Sequence, residues 1–254
     1  DVFNSGETFL GLDSGKPVYD PNLNSLDVLD GGAGKDTLNV ETEGAIATVT
    51  ANISNIETIN LKSGSTVTFD TTTYTGVETL NVTKATTSAT LDAAATTDVN
   101  VSGITTGAVS VDGGKNVNVT VADTGTNTTI GATTGAAGTV TVTDAAQAGS
   151  AIAVDGGTDV TITASGNNAL TDTIDVGQAP LPASPLPTGA VTVSSTGVYA
   201  DANVTMGTIK INGGSTVTVT QSAGITDAQK TAALTDGTNF TVTQGAITIK
   251  GDGN

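Results

Sequence analysis

Internal repetition is the sequence feature that most limits the folds open to this chain. The segments Asn55–Leu61 (N-I-E-T-I-N-L) and Gly76–Val82 (G-V-E-T-L-N-V) match closely, and Glu57 and Glu78 lie 21 residues apart within them. Both segments alternate apolar and polar residues, which is the period-two pattern of a half-buried strand. One short coil cannot bury its own apolar row, whereas stacked coils bury a continuous one. The repeat therefore predicts a solenoid with about 20 residues in each coil.

A second repeat supports the same coil length. The pattern apolar-Asp/Asn-Gly-Gly begins at Val111, Val154 and Ile211, and each copy leads into β-branched residues. The first two copies are 43 residues apart, which is about two coils, and the third is displaced by a further 14. The segment 179–187 holds four of the six prolines and accounts for most of this surplus. Because proline has no amide hydrogen to add to a ladder, we expect residues 179–187 to form a loop extruded from one coil.

Composition agrees with an all-β chain built around a narrow core. Threonine is abundant, aromatic residues make up only 3%, and 32 glycines are available for turns. The predicted fold is all-β, a right-handed parallel β-solenoid of the β-roll or β-helix type. Asp-Gly-Gly also suits hairpin turns, so an antiparallel β-sandwich is the alternative. One short helix is predicted at about 226–234, with Thr226 as its cap and Gly237 beyond its end, and we interpret it as a cap over the solenoid.

The motif with the most definite chemistry is Gly31–Asn39. It matches the nonapeptide G-G-x-G-x-D-x-U-x at every specified position, with Asp36 and Leu38 at the two non-glycine sites. Glycines permit a tight turn with carbonyls facing a cation, and Asp36 adds a carboxylate. Calcium takes six to eight oxygen ligands of this kind. Such a site lies between two turns, and the candidates for the second half are Asp1, Glu7 and Asp13.

These residues resemble a known family. The segment 27–38 is similar to the RTX calcium turns of bacterial proteins exported by type I secretion, and 55–61 and 151–157 resemble segments of calcium-bound RTX surface-layer (S-layer) proteins. The resemblance implies a calcium-stabilised solenoid that tiles a lattice on the cell surface. It implies an RTX-like calcium-binding region at 1–54 and a repetitive solenoid at 55–254. The resemblance also implies that Asp30, Gly32, Gly34 and Asp36 bind the metal, with Asp27 and Asp1 as further candidates. The chain departs from the family pattern in having a single intact turn.

Several function classes fit the composition poorly. The formal charge is −17, which opposes binding to nucleic acid and to anionic membranes. Cysteine is absent, so the chain has no disulfide framework, and no apolar run is long enough for membrane insertion. Without Arg, His or Trp we expect no enzyme, and we interpret Glu57 and Glu78 as a stacked structural ladder or as outward-facing residues. No secretory signal precedes Asp1, so we expect a processed product or an excerpt.

The predicted function is therefore structural. We expect a secreted, self-assembling, calcium-stabilised component of a bacterial surface layer or filament on the extracellular cell surface. The alternative is a repeat segment of a calcium-dependent RTX adhesin or biofilm-matrix protein. Self-association would use edge strands, loop tips such as 179–187, or calcium bridges. Cell-surface polysaccharide would be bound through regions outside this chain.

Overall fold

The chain is a parallel β-solenoid in a computed structural model, which confirms the predicted fold and excludes the antiparallel sandwich. The structure describes residues 1–13, 16–21, 23–122, 125, 127–145, 150–166, 173–178, 185–199, 203–236 and 241–251. The strands are β1 Val2–Ser5, β2 Glu7–Asp13, β3 Lys16–Pro21, β4 Val28–Asp30, β5 Thr37–Thr42, β6 Asn52–Ser54, β7 Thr58–Ser63, β8 Thr66–Asp70, β9 Thr79–Ala85, β10 Ser88–Ala93, β11 Asp98–Ile104, β12 Val109–Gly113, β13 Val117–Val121, β14 Thr128–Ile130, β15 Val140–Asp144, β16 Ile152–Val154, β17 Val160–Gly166, β18 Ile174–Val176, β19 Ala190–Tyr199, β20 Asn203–Thr205, β21 Ile209–Asn212, β22 Thr216–Ile225, β23 Thr241–Thr243 and β24 Ile247–Lys250, and the helix is α1 Asp227–Asp236.

Two long parallel sheets form the walls of the solenoid. Sheet 1 has ten strands in the order β1-β5-β7-β9-β11-β13-β15-β17-β19-β22, and sheet 2 has eight in the order β24-β21-β18-β16-β14-β12-β10-β8. From β7 onward each coil contributes one strand to each sheet, so neighbours within a sheet are one coil apart, whereas β1 and β5 have no counterpart strand in sheet 2. The short pair β4–β6 gives the first coils a third side. Sheet 1 runs without a break across residue 54, the boundary drawn from the sequence, and that boundary stays a prediction.

The core consists of apolar rows that run along the solenoid axis. In sheet 1, Leu38, Ile59, Leu80 and Val99 are partners in successive strands, and the row continues in register to Val217. The four residues named first are at most 1% exposed. Burying such a side chain contributes roughly 1.5–3 kcal/mol, so stability grows with each stacked coil.

An asparagine ladder runs along the outer face of sheet 1 in the first coils. Each side-chain amide donates to the side-chain carbonyl of the preceding coil, at 2.8–3.0 Å. The ladder joins Asn4, Asn39, Asn60, Asn81 and Asn100. Because the strands are parallel and in register, identical side chains lie directly above one another and can bond in this way.

The proline-containing segment lies against the turns of the solenoid where the structure describes it. Residues 179–184 fall outside the described residues. Pro187 is buried, and its carbonyl accepts a hydrogen bond from the amide of Gly214 at 2.7 Å. A Cβ added to Gly213 would lie 2.9 Å from the Cβ of Leu186. Residues 185–187 therefore pack along the turns rather than projecting from the coil.

The predicted helix is present as Asp227–Asp236, so Thr226 directly precedes it, as predicted for the cap, and the helix ends two residues beyond the predicted end at about 234. The main-chain carbonyl of Thr226 accepts a hydrogen bond from the amide of Lys230. The helix side chains that are described, among them Lys230 and Thr231, are exposed. Its interpretation as a solenoid cap stays a prediction. In the described part of the chain, no helix has the length and apolar character needed to cross a membrane.

Candidate metal centre

The predicted calcium turn, residues 31–36, connects β4 to β5 and lies directly over the shorter turn 55–57 of the next coil. The amide of Gly31 donates to the carbonyl of Ser54, and a Cβ at Gly31 would lie only 1.9 Å from the carbonyl oxygen of Asn55. Only glycine fits at such a distance. Gly32 and Gly34 have positive φ angles of 78° and 128°, so the loop is the tight bend that the motif predicts.

Asp36 is the most unusual residue of this turn because its carboxylate is buried. The α-ammonium group of Asp1 contacts Oδ1 of Asp36. Oδ2 is also buried and has no hydrogen-bond partner among the described residues. A Cβ added to Gly34 would lie 4.0 Å from Oδ2. A buried carboxylate oxygen without a donor is costly, so this atom is suited to a cation ligand.

Asp30 and Asp27 stabilise local turns. Oδ1 of Asp30 accepts hydrogen bonds from the Asn55 side chain at 2.8 Å and the Gly32 amide at 3.0 Å. The bond from Asn55, followed by that from Gly32, lowers the pKa of Asp30. Oδ2 of Asp27 accepts a hydrogen bond from the amide of Asn24 at 2.9 Å.

The structure therefore brings some of the predicted ligands together and separates others. Asp1 approaches Asp36 through its amino group, while its side chain is 81% exposed. Within the described residues, no three acidic, histidine or cysteine side chains form a group that could hold a metal ion. Glu7 and Asp13 lie in β2, where side chains fall outside the described part of the structure. The donors that remain, Asp36 and the turn carbonyls, are hard oxygens of the type calcium prefers.

Two residues of the next coil complete the turn and were not predicted as part of the site. Oε2 of Glu57 accepts the amide hydrogen of Asp36 at 2.8 Å. Asn55 has a φ of +52° and bridges to Asp30 through its side chain. Aligning the two turns through the register pair Thr37 and Thr58 would have placed Glu57 beside Asp36 and Asn55 beneath the glycines. Their repeat context predicts a β-coil but not this contact.

Glu78 has a structural role that agrees with the interpretation from sequence. It forms an ion pair with Lys35 at 2.5 Å, reaching across two coils. This bond raises the pKa of Lys35. Both side chains are more than half exposed, so the pair contributes little to stability.

A row of acidic residues on sheet 2 was also not predicted. Asp70, Asp92 and Asp112 are register partners on β8, β10 and β12. Burial first, and then the charges of the two neighbours, raise the pKa of Asp92. Oδ1 of Asp70 accepts from the Thr72 amide, and Oδ1 of Asp112 accepts from the amide of Thr133. The outer carboxylates of the row therefore serve as turn caps.

A comparison of the sequence with known protein families and with curated proteins finds no match.

Proposed function

We propose that this chain is a structural, self-assembling extracellular protein, a calcium-stabilised component of a bacterial surface layer or filament. The observation that carries the proposal is the uninterrupted parallel ladder of sheet 1, in which coil stacks on coil from β1 to β22. Such a molecule is stiff and extended along one axis, and it offers repeated surfaces at a fixed spacing. These are properties that a repeating building unit requires.

Calcium binding at the turn 31–36 is part of the proposal. Oδ2 of Asp36, which is buried and has no hydrogen-bond partner among the described residues, would hold the ion together with the carbonyls of Gly32 and Gly34. Bound calcium would neutralise a carboxylate that is otherwise desolvated. Extracellular sites with dissociation constants of roughly 10⁻⁴–10⁻³ M remain loaded at millimolar calcium. Assembly at a cell surface would then depend on the calcium outside the cell.

The test has two parts. Equilibrium dialysis against millimolar calcium, followed by elemental mass spectrometry of both compartments, should give at least one calcium per chain in excess of the buffer. Electron microscopy should show ordered sheets or filaments in calcium and their loss in EGTA. Dispersed monomers under both conditions would contradict self-assembly. Assemblies with no bound metal, unchanged by EGTA, would contradict only the role of calcium.

A further inference from the structure

One part of the solenoid surface carries an uncharged, regular array of hydroxyl groups. The outward positions of β13, β15, β17, β19 and β22 form two rows, one from Asn118 to Thr218 and one from Thr120 to Thr220. Nine of these ten residues are Thr or Ser, and all ten are exposed or partly exposed. We call this surface the hydroxyl face.

The array is regular because the five strands share one register. Thr141 pairs with Thr161, which pairs with Thr192 and then with Thr218, and no bulge interrupts these strands. By contrast, bulges shift the register between β7 and β9 and between β11 and β13. Hydroxyls on the face therefore repeat at about 4.8 Å across the strands and about 6.6 Å along them.

The hydroxyls of this face are available to a partner. None of the nine makes an intramolecular hydrogen bond within the described structure. Outward hydroxyls of the earlier coils differ, because Thr83 and Ser102 donate to carbonyls of the preceding strand at 3.3 Å. Threonine is also stiff at χ1, so ordering it in an interface costs little entropy.

The absence of charge from this face matters because the chain carries a formal charge of −17. The outward face of sheet 2 bears Asp70, Asp92 and Asp112, and the first coils of sheet 1 bear Glu41 paired with Lys62. Asp159 stands at the border of the hydroxyl face, where it accepts the amide hydrogen of Ala190. When two copies approach through the outward face of sheet 2 or the first coils of sheet 1, their carboxylates come together and repel each other. Approach through the hydroxyl face avoids this repulsion.

We propose that the hydroxyl face is a self-association surface that docks against the same face of a second copy. This inference rests on the proposed self-assembly and names the surface that mediates it. The contact is isologous, with one two-fold axis through the face. Five strands of five residues cover roughly 24 Å by 17 Å, about 400 Å² per copy. That is about half of a standard interface, so the contact is weak; because it is isologous it closes a dimer, and a lattice needs a further contact elsewhere on the surface.

The test compares matched substitutions on the two sheets. Thr161→Glu lies in the hydroxyl face, and Thr90→Glu is the control on the outward face of sheet 2, because both threonines are exposed. Sedimentation velocity in calcium over a range of concentrations should show association of the wild type and of Thr90→Glu. We expect association of Thr161→Glu to be at least tenfold weaker, because like charges meet across the axis.

A lysine substitution separates docking from a general effect of net charge. Thr192→Lys makes the chain less negative, so it should strengthen association if overall repulsion were in control. We expect it to weaken association as Thr161→Glu does, with thermal melts confirming that both variants are folded. If both variants associated as strongly as the wild type, the assignment of this surface would be wrong. A wild-type chain that never associates would instead contradict the proposed self-assembly.

Discussion

A buried carboxylate is unfavourable unless it is paired or bound to a metal, and Asp36 poses this problem at the level of a single residue. The amide of Asp36 donates a hydrogen bond to Oε2 of Glu57, and Oδ1 contacts the amino group of Asp1. Oδ2 has no hydrogen-bond partner among the described residues. The side chain is held in place by its surroundings while half of its acceptor capacity is open. A divalent cation at Oδ2 is the hypothesis that accounts for this arrangement.

Replacing Asp36 by asparagine should remove the response to calcium. If the dissociation constant is roughly 10⁻⁴–10⁻³ M, then 10 mM calcium stabilises the wild type by about 1.4–2.7 kcal/mol. Urea unfolding of Asp36→Asn should give the same free energy in calcium and in EGTA. The control is Asp98→Asn, because Asp98 caps Asn116 in a later turn, and an asparagine carbonyl can still accept that bond. A wild-type calcium response in Asp36→Asn would contradict ligation by this residue.

Replacing Gly31 by alanine should destabilise the first coils whether or not calcium is bound. The new Cβ would lie 1.9 Å from the carbonyl oxygen of Asn55, and backbone must move to relieve the overlap. We expect a loss of about 1–3 kcal/mol in the free energy of unfolding, as for other overpacked sites. Gly6→Ala is the matched control, since a Cβ there has nothing within 4 Å. Equal melting temperatures for the two variants would show that the turns 31–36 and 55–57 are not stacked as described.

At the scale of an element, the same parallel register stabilises one row of side chains and destabilises another. Stacked asparagines are self-complementary, because each amide both donates and accepts. Stacked aspartates repel each other, because each carboxylate faces a like charge one coil away. The ladder through Asn60 and the row through Asp92 are therefore opposite consequences of one geometry.

The contribution of the asparagine ladder to the free energy of unfolding should be measurable by replacing a residue at its centre. Asn60→Ala removes a bond to Asn39 and a bond from Asn81, and two such bonds contribute about 1–3 kcal/mol. Asn118→Ala is the control, because Asn118 is the register partner of Asn100 but is exposed and outside the ladder. Chemical denaturation should show a clear loss for the first variant and a much smaller one for the second. Similar losses would mean that the ladder contributes nothing.

The acidic row predicts a pH dependence of defined sign. The pKa of Asp92 is raised in the folded state above the ordinary aspartate value of 3.8, so its charged form destabilises the fold at neutral pH. This penalty is present above the folded pKa and disappears as the pH falls below 3.8. Asp92→Asn should gain about 0.2–1 kcal/mol at pH 7 and nothing at pH 3. Asp175→Asn, which loses the ion pair with Lys210, should show no gain in melting temperature at pH 7.

Much of the arrangement of these elements could be predicted from the sequence. The match between 55–61 and 76–82 places Ile59 beside Leu80, as observed. The spacing of Asp112 and Asp155 corresponds to two coils, since β12, β14 and β16 are successive strands. The hairpin of β2 and β3 was not predicted, because no repeat covers it. The acidic row was not predicted because only Asp112 belongs to an Asp-Gly-Gly motif, whereas Asp70 and Asp92 are not followed by glycines.

The geometry of the candidate metal centre was less predictable than the fold. The nonapeptide identifies the turn and Asp36, but the positions of Asp27 and Asp30 depend on hydrogen bonds to Asn24 and Asn55. Such bonds are formed between segments whose approach is set by the coil, not by the motif. Hydrophobic periodicity reports which face of a strand is buried, whereas polar contacts between turns require the exact register.

At the scale of the whole molecule, stability should vary along the solenoid axis. Inward residues of the middle coils are covered on both sides, whereas Ile247 and Ile249 of β24 remain 44% and 51% exposed. A coil with one neighbour has one stabilising interface instead of two. Local opening should therefore be most frequent in the terminal coils.

Hydrogen exchange followed by mass spectrometry would test this gradient. Amides of β9, β11 and β13 should be protected longest, and those of β24 should exchange soonest. Leu80→Ala, in a central coil, should cost about 2–5 kcal/mol and speed exchange on both sides of β9. Ile249→Ala should change exchange only locally. Uniform protection from β5 to β24 would contradict this gradient and indicate that the solenoid opens as one unit.

The shared register of the apolar rows makes the coil a unit of length. Removing one whole coil would join two strands that already match in their inward and outward residues, and it would shorten the molecule by about 4.8 Å while leaving its cross-section intact. Adding a coil would lengthen it by the same step. In such a protein the number of repeats sets the distance between surface features along the axis. That distance changes in fixed steps as about 20 residues are gained or lost.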